Sequence, residues 1–404
     1  MRLGVIGFGG RMQGVFRTLR RMEREAQLVA VTDPRKEEIK EELGTEADGV
    51  AFFDDADRML DSVELDGVMI GTRCSLHTHY AVKVAERRLP LYLEKPVATT
   101  MEDLKRLHAA FKKSGTGDKV VVSFPLRLTY HVQLAKEMIE AGEIGTLEHV
   151  QAVNNVPYGG RAYFQGWYRD WDETHGLWLQ KATHDLDYIA YLFGQRPVRA
   201  AGMMSQRVLG PAGKRSVGFT MPMEQACRDC PRQEECPESP YNKFYRLGEG
   251  EDVTQGETFM RRRPTMCMFG DGIKNQDNGS CLVEFESGAQ AVYTQNFFVR
   301  RQAAFRGATL IGYRGSIQFD WYSNTFRLVY HHRTRVENVE LASRSGHGGG
   351  DLELVRSFVK VIRDGEPSRS PLDAGIWSAY LCLKVDESCR TGRFVTLSPE
   401  ELES

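Results

Sequence analysis

Hydrophobic positions follow two regimes along the chain. From Arg2 to about Ser123, short apolar runs alternate with stretches of helical period; the strand-like runs are RLGVIG, QLVAVTD, VAFFDD, LDGVMIGT, LPLYLEKP and DKVVVSFP. Runs such as Val68-Met69-Ile70 and Val120-Val121-Val122 lack polar alternation, as expected of parallel strands covered on both faces. Between them apolar residues recur at helical spacing, and Ala81, Val84, Ala85 and Leu89 share one face. Six strands joined by five helical crossovers predict a doubly wound α/β domain over residues 1–124. Such a domain binds ligands at the carboxyl ends of its strands.

After Pro125 the pattern changes. A helix over about Tyr130–Ala141 ends at Gly142, the strand LEHVQAVNNV follows, and a second helix over about Trp178–Leu192 stops at Gly194. Alternating runs then dominate: CLVEFE, AQAVYTQNFF, RGATLIGY, GSIQFD and TFRLVYHH, separated by Gly, Ser and Asn. They predict a large, open, mainly antiparallel sheet. Helices over about Asp351–Arg363 and Asp373–Cys389 precede a last strand, RFVTL. Residues 125–404 are therefore expected to form an α+β domain, with an irregular insertion at about 209–277.

Composition narrows the partners. The chain has 404 residues with 53 Lys+Arg against 55 Asp+Glu, a formal net charge of -2. A nucleic acid or an acidic membrane usually demands a basic surplus on one face, so the expected partner is small. Arg261-Arg262-Arg263, the densest basic run, reads as a solvated or intersubunit surface. No run of about 18 apolar residues occurs, and MRLGVIGFGG breaks on glycines where a signal segment would continue. A cytoplasmic protein with reduced thiols is expected.

The first turn, Gly7-Phe8-Gly9-Gly10-Arg11-Met12, follows a strand and opens a helix, and Asp33 ends the next strand. Glycines there let backbone N–H groups approach a pyrophosphate at the helix N-terminus. Asp33 suits the ribose hydroxyls of NAD, whereas the nearby Arg35 suits the 2'-phosphate of NADP. The alternative is an ordinary turn in which Asp33 caps the next helix. At the fifth strand stands Glu94-Lys95-Pro96, whose lysine faces the ligand crevice. Thr72-Arg73-Cys74-Ser75-Leu76-His77 lies upstream, and Arg127 and a helix carrying His184 lie downstream.

This ordered set resembles the Gfo/Idh/MocA family of oxidoreductases over essentially the whole chain. The resemblance implies a Rossmann domain that binds NAD(H) or NADP(H), with Thr72, His77 and Glu94 beside the glycine turn. It also implies a C-terminal sheet that supports the substrate and often a homodimer or homotetramer. Lys95 matches the family's catalytic lysine, and His184 its proton-exchanging histidine. Two departures stand out: Arg73 and Cys74 replace proline and asparagine, and Gln180 replaces an aspartate four residues before the histidine. Glutamine carries no charge, so it cannot raise an imidazole pKa as a carboxylate would. A redox-neutral, NAD-dependent glycosidase and a non-catalytic NAD-binding regulator remain alternatives to a dehydrogenase.

Lys181, His184 and Asp187 recur at intervals of three and are expected to form one polar cluster. Lys181 joins the catalytic candidates, Gln180, Arg127 and Asp185 the substrate contacts, and His347 is a weaker candidate. Trp167, Tyr168, Trp171 and Trp178 either stack on a sugar or cover the loop. Cys227-x2-Cys230-x5-Cys236, with Cys267 about thirty residues on, suggests a structural zinc or iron–sulfur site, with free buried thiols as the alternative.

Overall fold

The computed structural model describes residues 1–218, 224–239, 266–341 and 348–403. Its first sheet contains β1 (Arg2–Ile6), β2 (Gln27–Thr32), β3 (Ala51–Phe53), β4 (Gly67–Ile70), β5 (Leu91–Leu93) and β6 (Val120–Val122). All six are parallel, in the order β3-β2-β1-β4-β5-β6. The crossovers carry α1 (Gly10–Met22), α2 (Lys36–Leu43), α3 (Ala56–Ser62), α4 (His77–Glu86) and α5 (Met101–Ser114). Strand order reverses between β1 and β4, which opens a crevice at their carboxyl ends. β4, β5 and β6 are buried at every position, so both faces are covered, as their unbroken apolar runs require.

The second sheet is built from β7 (Leu147–Asn155), β8 (Pro197–Ser205), β9 (Asn278–Phe285), β10 (Gln290–Asn296), β11 (Phe305–Gly312), β12 (Gly315–Asp320), β13 (Thr325–Tyr330), β14 (Val336–Asn338) and β15 (Val395–Thr396). Its order is β14-β13-β12-β11-β7-β10-β9-β8-β15, and only β7 and β10 pair in parallel. Between α6 (Tyr130–Glu140) and the later strands lie α7 (Gly159–Phe164), α8 (Trp171–Thr174) and α9 (Thr183–Phe193); α10 (Gly350–Arg363) and α11 (Leu372–Thr391) come near the end of the chain. α9 and α11 cover the inner face of this sheet. Its outer face exposes Met203 and Leu282.

Two features depart from the sequence pattern. The helix expected from Trp178 opens with a π-helical turn, Trp178–Ala182, before α9. α10, far along the chain, buries Leu354, Val355, Phe358 and Val361 against Leu3, Val5, Met69 and Tyr92 of the first sheet. A Cβ on Gly67 would come within 2.7 Å of Ile362, so the close approach of α10 depends on a glycine in β4. The irregular insertion is described only in part, with short helical turns at Pro211–Val217 and Cys227–Asp229. The Arg261 triplet and His347 lie outside the described residues.

Candidate active site

The glycine turn is closed by its surroundings. Gly7 has a φ of +81°, and a Cβ there would sit 2.7 Å from the Thr72 backbone nitrogen. Any other residue would push apart the turn and the loop after β4. Gly9 caps α1, and a Cβ on it would meet only Arg35, at 3.8 Å. The first turn of α1 holds no acidic side chain, so its N–H groups form an open, electropositive cradle that fits a pyrophosphate. Met12, where a third glycine was expected, is fully buried. A Cβ on the facing Gly71 would come within 2.8 Å of the Met12 side chain, so the small residue has moved to the opposite side of this contact.

Asp33 is buried and accepts hydrogen bonds from the backbone N–H groups of Phe8 and Arg35, each at 2.9 Å, with Arg35 Nε at 3.5 Å. Phe8, expected among the cofactor contacts, is itself buried with its N–H committed to Asp33, so its role is to hold the turn. Arg11 and Glu94 also depart from expectation, because they pair with each other. Arg11 Nε donates to Glu94 Oε1 at 2.9 Å, and its second nitrogen reaches Asp351 of α10 at 2.7 Å and Ser123 at 3.2 Å. These side chains brace α1, β5, β6 and α10. His77 is buried, with Nδ1 2.7 Å from the Pro96 carbonyl and Nε2 3.3 Å from that of Thr72. Burial lowers its pKa, and the ring staples two crevice loops.

Lys95 stands just past β5, partly buried, and Nζ donates to Gln180 twice: to the backbone oxygen at 2.7 Å and to Oε1 at 2.5 Å. Gln180 lies in the π turn, where the widened ladder lets a main-chain carbonyl turn toward another group. Its Nε2 donates to Cys74 Sγ at 3.5 Å. The two departures noted at Cys74 and Gln180 are thus one arrangement, an amide bridging a thiol and an amine. Burial lowers the Lys95 pKa to about 8, with nearby Lys181 pushing the same way, and raises the Cys74 thiol to about 12.

The expected cluster of Lys181, His184 and Asp187 does not form. Lys181 is buried and donates to the Tyr158 hydroxyl at 2.7 Å. Asp187 takes both nitrogens of Arg127, at 2.9 and 2.5 Å. Half-buried His184 lies on the first turn of α9 with its ring edge-on to Phe124, centroids 6.0 Å apart. Two substrate candidates need correction. Arg127 is buried and committed to Asp187, lining a separate cavity of about 510 Å³ beside Tyr191 and Trp377. Asp185 is buried and holds Arg306 through two bonds at 2.9 and 2.8 Å, while accepting from Asn154 and Tyr293.

Among the aromatic residues, Trp178 is core, 1% exposed against Tyr293. Trp167 has the Arg73 guanidinium over its ring at 4.0 Å and the Tyr168 ring at 3.9 Å, contacts that close the loop on itself. Sequence reasoning missed Tyr158 and Arg306. The first follows β7 at the edge of the site. The second is a charge at an inward position of an alternating strand, which was a readable signal.

The cysteine expectation also needs correction. Cys227, Cys230, Cys236 and Cys267 are all buried, and the last three share an apolar cluster with Met268, Phe269 and Phe297. Among the described residues no group of three or more His, Cys, Asp or Glu is arranged to hold a metal ion. Burial pushes the Cys267 thiol up to about 11, with nearby Cys236 and Cys230 pushing the same way.

Comparison with known proteins agrees with this architecture. Residues 1–124 match the profile described as oxidoreductase family, NAD-binding Rossmann fold, and residues 132–228 match the GFO/IDH/MocA C-terminal domain. The chain is 26% identical over 335 residues to the putative oxidoreductase YteT of Bacillus subtilis (strain 168), covering 76% of this chain and 75% of that one. It is 29% identical over 188 residues to the scyllo-inositol 2-dehydrogenase (NAD(+)) of the same organism, spanning 44% of this chain and about half (49%) of that relative. The fold superposes on levoglucosan dehydrogenase, solved with NADH and levoglucosan, with a TM-score of 0.72 at 18% identity, covering 98% of this chain and 99% of that one. Among the described residues no helix is long and apolar enough to cross a membrane. With its Rossmann sheet, glycine cradle, Glu-Lys-Pro loop and open second sheet, the chain belongs to the GFO/IDH/MocA family of NAD-binding oxidoreductases.

Proposed function

We propose that this protein is an NAD(P)-dependent dehydrogenase acting on a hydroxyl or carbonyl of a sugar, cyclitol or related polyol. The observation that carries the reading is Lys95: an amine at the carboxyl end of β5, held on Gln180 in the crevice beside the glycine turn. The names of the relatives, an inositol dehydrogenase and a levoglucosan dehydrogenase, support the substrate class.

Gly7, Gly9 and Gly10, with Thr72 packed against the turn, would hold the dinucleotide phosphates, and Asp33 would accept the ribose hydroxyls. Arg35, beside Asp33 at 3.5 Å, is the side chain that would meet the extra phosphate of NADP. Bound there, the dinucleotide supplies the hydride acceptor or donor. Lys95 donates to the reacting oxygen and stabilises its negative charge; with three N–H donors it can do so while still held by Gln180. His184 takes the hydroxyl proton during oxidation and returns it during reduction.

The test is a panel of sugars, inositols and glycosides assayed with NAD and with NADP, following absorbance of the reduced nicotinamide. Accumulation of reduced cofactor with a polyol supports the proposal. Cleavage of a glycoside without such accumulation points to redox-neutral elimination, and cofactor binding without turnover across the panel points to a regulator.

A further inference from the structure

The positive charges around the crevice are compensated unevenly. Arg11 faces Glu94 and Asp351, Arg127 faces Asp187, and Arg306 faces Asp185. Lys95 and Lys181 instead bond to neutral groups, the Gln180 amide and the Tyr158 hydroxyl. Among the described residues neither lysine has a carboxylate within ion-pair distance. Lys181 is 4% exposed, which is an unusual place for an amine with no counter-ion. The nearby carboxylates of Glu94, Asp185 and Asp187 are already taken by arginines.

We propose that the substrate is an acidic sugar, a polyol bearing a carboxylate, and that Lys181 with Tyr158 binds the carboxylate while Lys95 meets the reacting oxygen. The proposal rests on the oxidoreductase reading above and narrows its substrate. Tyr158 Oη accepts from Lys181 at 2.7 Å, so its own hydrogen is directed elsewhere. Lys181 lowers the Tyr158 pKa from its ordinary value; with its proton in place the phenol is a strengthened donor, and phenol and ammonium together present two adjacent donors, the arrangement that the two oxygens of a carboxylate accept. Tyr158 follows the end of β7 and is half-buried, whereas Lys181 is buried. The groups facing it are Lys181 from the π turn, Arg306 from β11, Asp185 from α9, Tyr163 from α7 and Tyr322 beyond β12. Asp185, the carboxylate among them, is neutralised by Arg306. A substrate carboxylate would also offset the repulsion between Lys181 and Lys95, two amines that burial already discourages from carrying charge.

The experiment compares D-galacturonate with D-galactose and D-glucuronate with D-glucose, in wild type, Lys181→Met and Tyr158→Phe. The expected result is at least a tenfold advantage in kcat/KM for each acid. That advantage falls to near unity in Lys181→Met, through a larger rise in KM for the acids than for the neutral sugars, and falls partway in Tyr158→Phe. Equal or better turnover of the neutral sugars, or equal losses on both classes, overturns the proposal. If neither class is oxidised with either cofactor, the dehydrogenase reading loses support, and the carboxylate site is read by thermal shift with D-galacturonate against D-galactose. Stabilisation by the acid alone, lost in Lys181→Met, upholds the site; no difference between the two sugars overturns it. Unfolding curves of both variants separate a binding defect from a folding defect.

Discussion

The arginines and the lysines around α9 are used in opposite ways. Arg127 and Arg306 are each clamped by both oxygens of a buried carboxylate, while Lys95 and Lys181 are held by neutral groups. A guanidinium stays charged in any protein environment and its planar fork matches a carboxylate, so a buried arginine with its partner is a fixed structural element. An ammonium changes its pKa when buried, and its three donors can be shared between protein and ligand. The paired arginines are fixed in charge, whereas Lys95 and Lys181 keep an adjustable one.

The largest expected effect lies on the arginine side. Asp185→Asn removes the counter-charge of buried Arg306, and should cost about 3–5 kcal/mol of stability, read from the denaturant midpoint. A loss below about 1 kcal/mol would mean that the pair is not structural, and the contrast would fail.

Lys95→Met sharpens the other side. Activity should fall on the order of 100- to 1000-fold in kcat/KM, as when a preorganised donor is removed from a developing oxyanion. Stability should behave differently. The folded pKa of about 8 lies below the ordinary lysine value of 10.5, so the unfolded state binds more protons between those values. Lys95 therefore penalises folding fully below pH 8 and less as pH rises toward 10.5. At neutral pH the variant should unfold no earlier than wild type, and its stability should lose the rise that wild type shows across that window. The same titration sets an alkaline limb near pH 8 in wild-type carbonyl reduction, because the donor proton is lost there.

Gln180→Glu should produce the smallest change. A carboxylate beside Lys95 favours the ammonium, so the alkaline limb should move upward by about one pH unit with the fold intact. A limb that stays in place would show that it belongs to another group.

The first sheet was legible because its signals are local. Unbroken apolar runs, glycine at the first turn and proline after Lys95 each act within a few residues; the strand order came from the structure. The alternating strands of the second sheet were legible for the same reason. Partners were harder to read. Helical spacing grouped Lys181, His184 and Asp187, but the π turn at Trp178–Ala182 changes the register, and each finds a separate environment. Arg127 and Asp185 looked like ligands because unpaired charges in a crevice usually are; their partners, Asp187 and Arg306, lie 60 and 121 residues away in sequence. Cysteine spacing suggested a metal; the structure brings Cys230, Cys236 and Cys267 into one apolar cluster, with no metal-holding group among the described residues.

The sequence by itself determined the first sheet, all but β8 and β14 of the second, the glycine cradle, the position of Lys95 at a strand end and the family. These depend on periodicity and on backbone conformations that few residues adopt. Tertiary structure decided which charges are neutralised: Arg11 by Glu94 and Asp351, Arg306 by Asp185, and neither lysine by a carboxylate among the described residues. The reason is electrostatic. In a low-dielectric crevice the state of an ionisable group is set by neighbours within a few ångströms, brought there from distant points in the chain. Near-neutral composition averaged those charges away and pointed only to a small partner. The acidic-substrate proposal rests on what the fold shows, two lysines held by an amide and a phenol with no carboxylate in ion-pair range among the described residues.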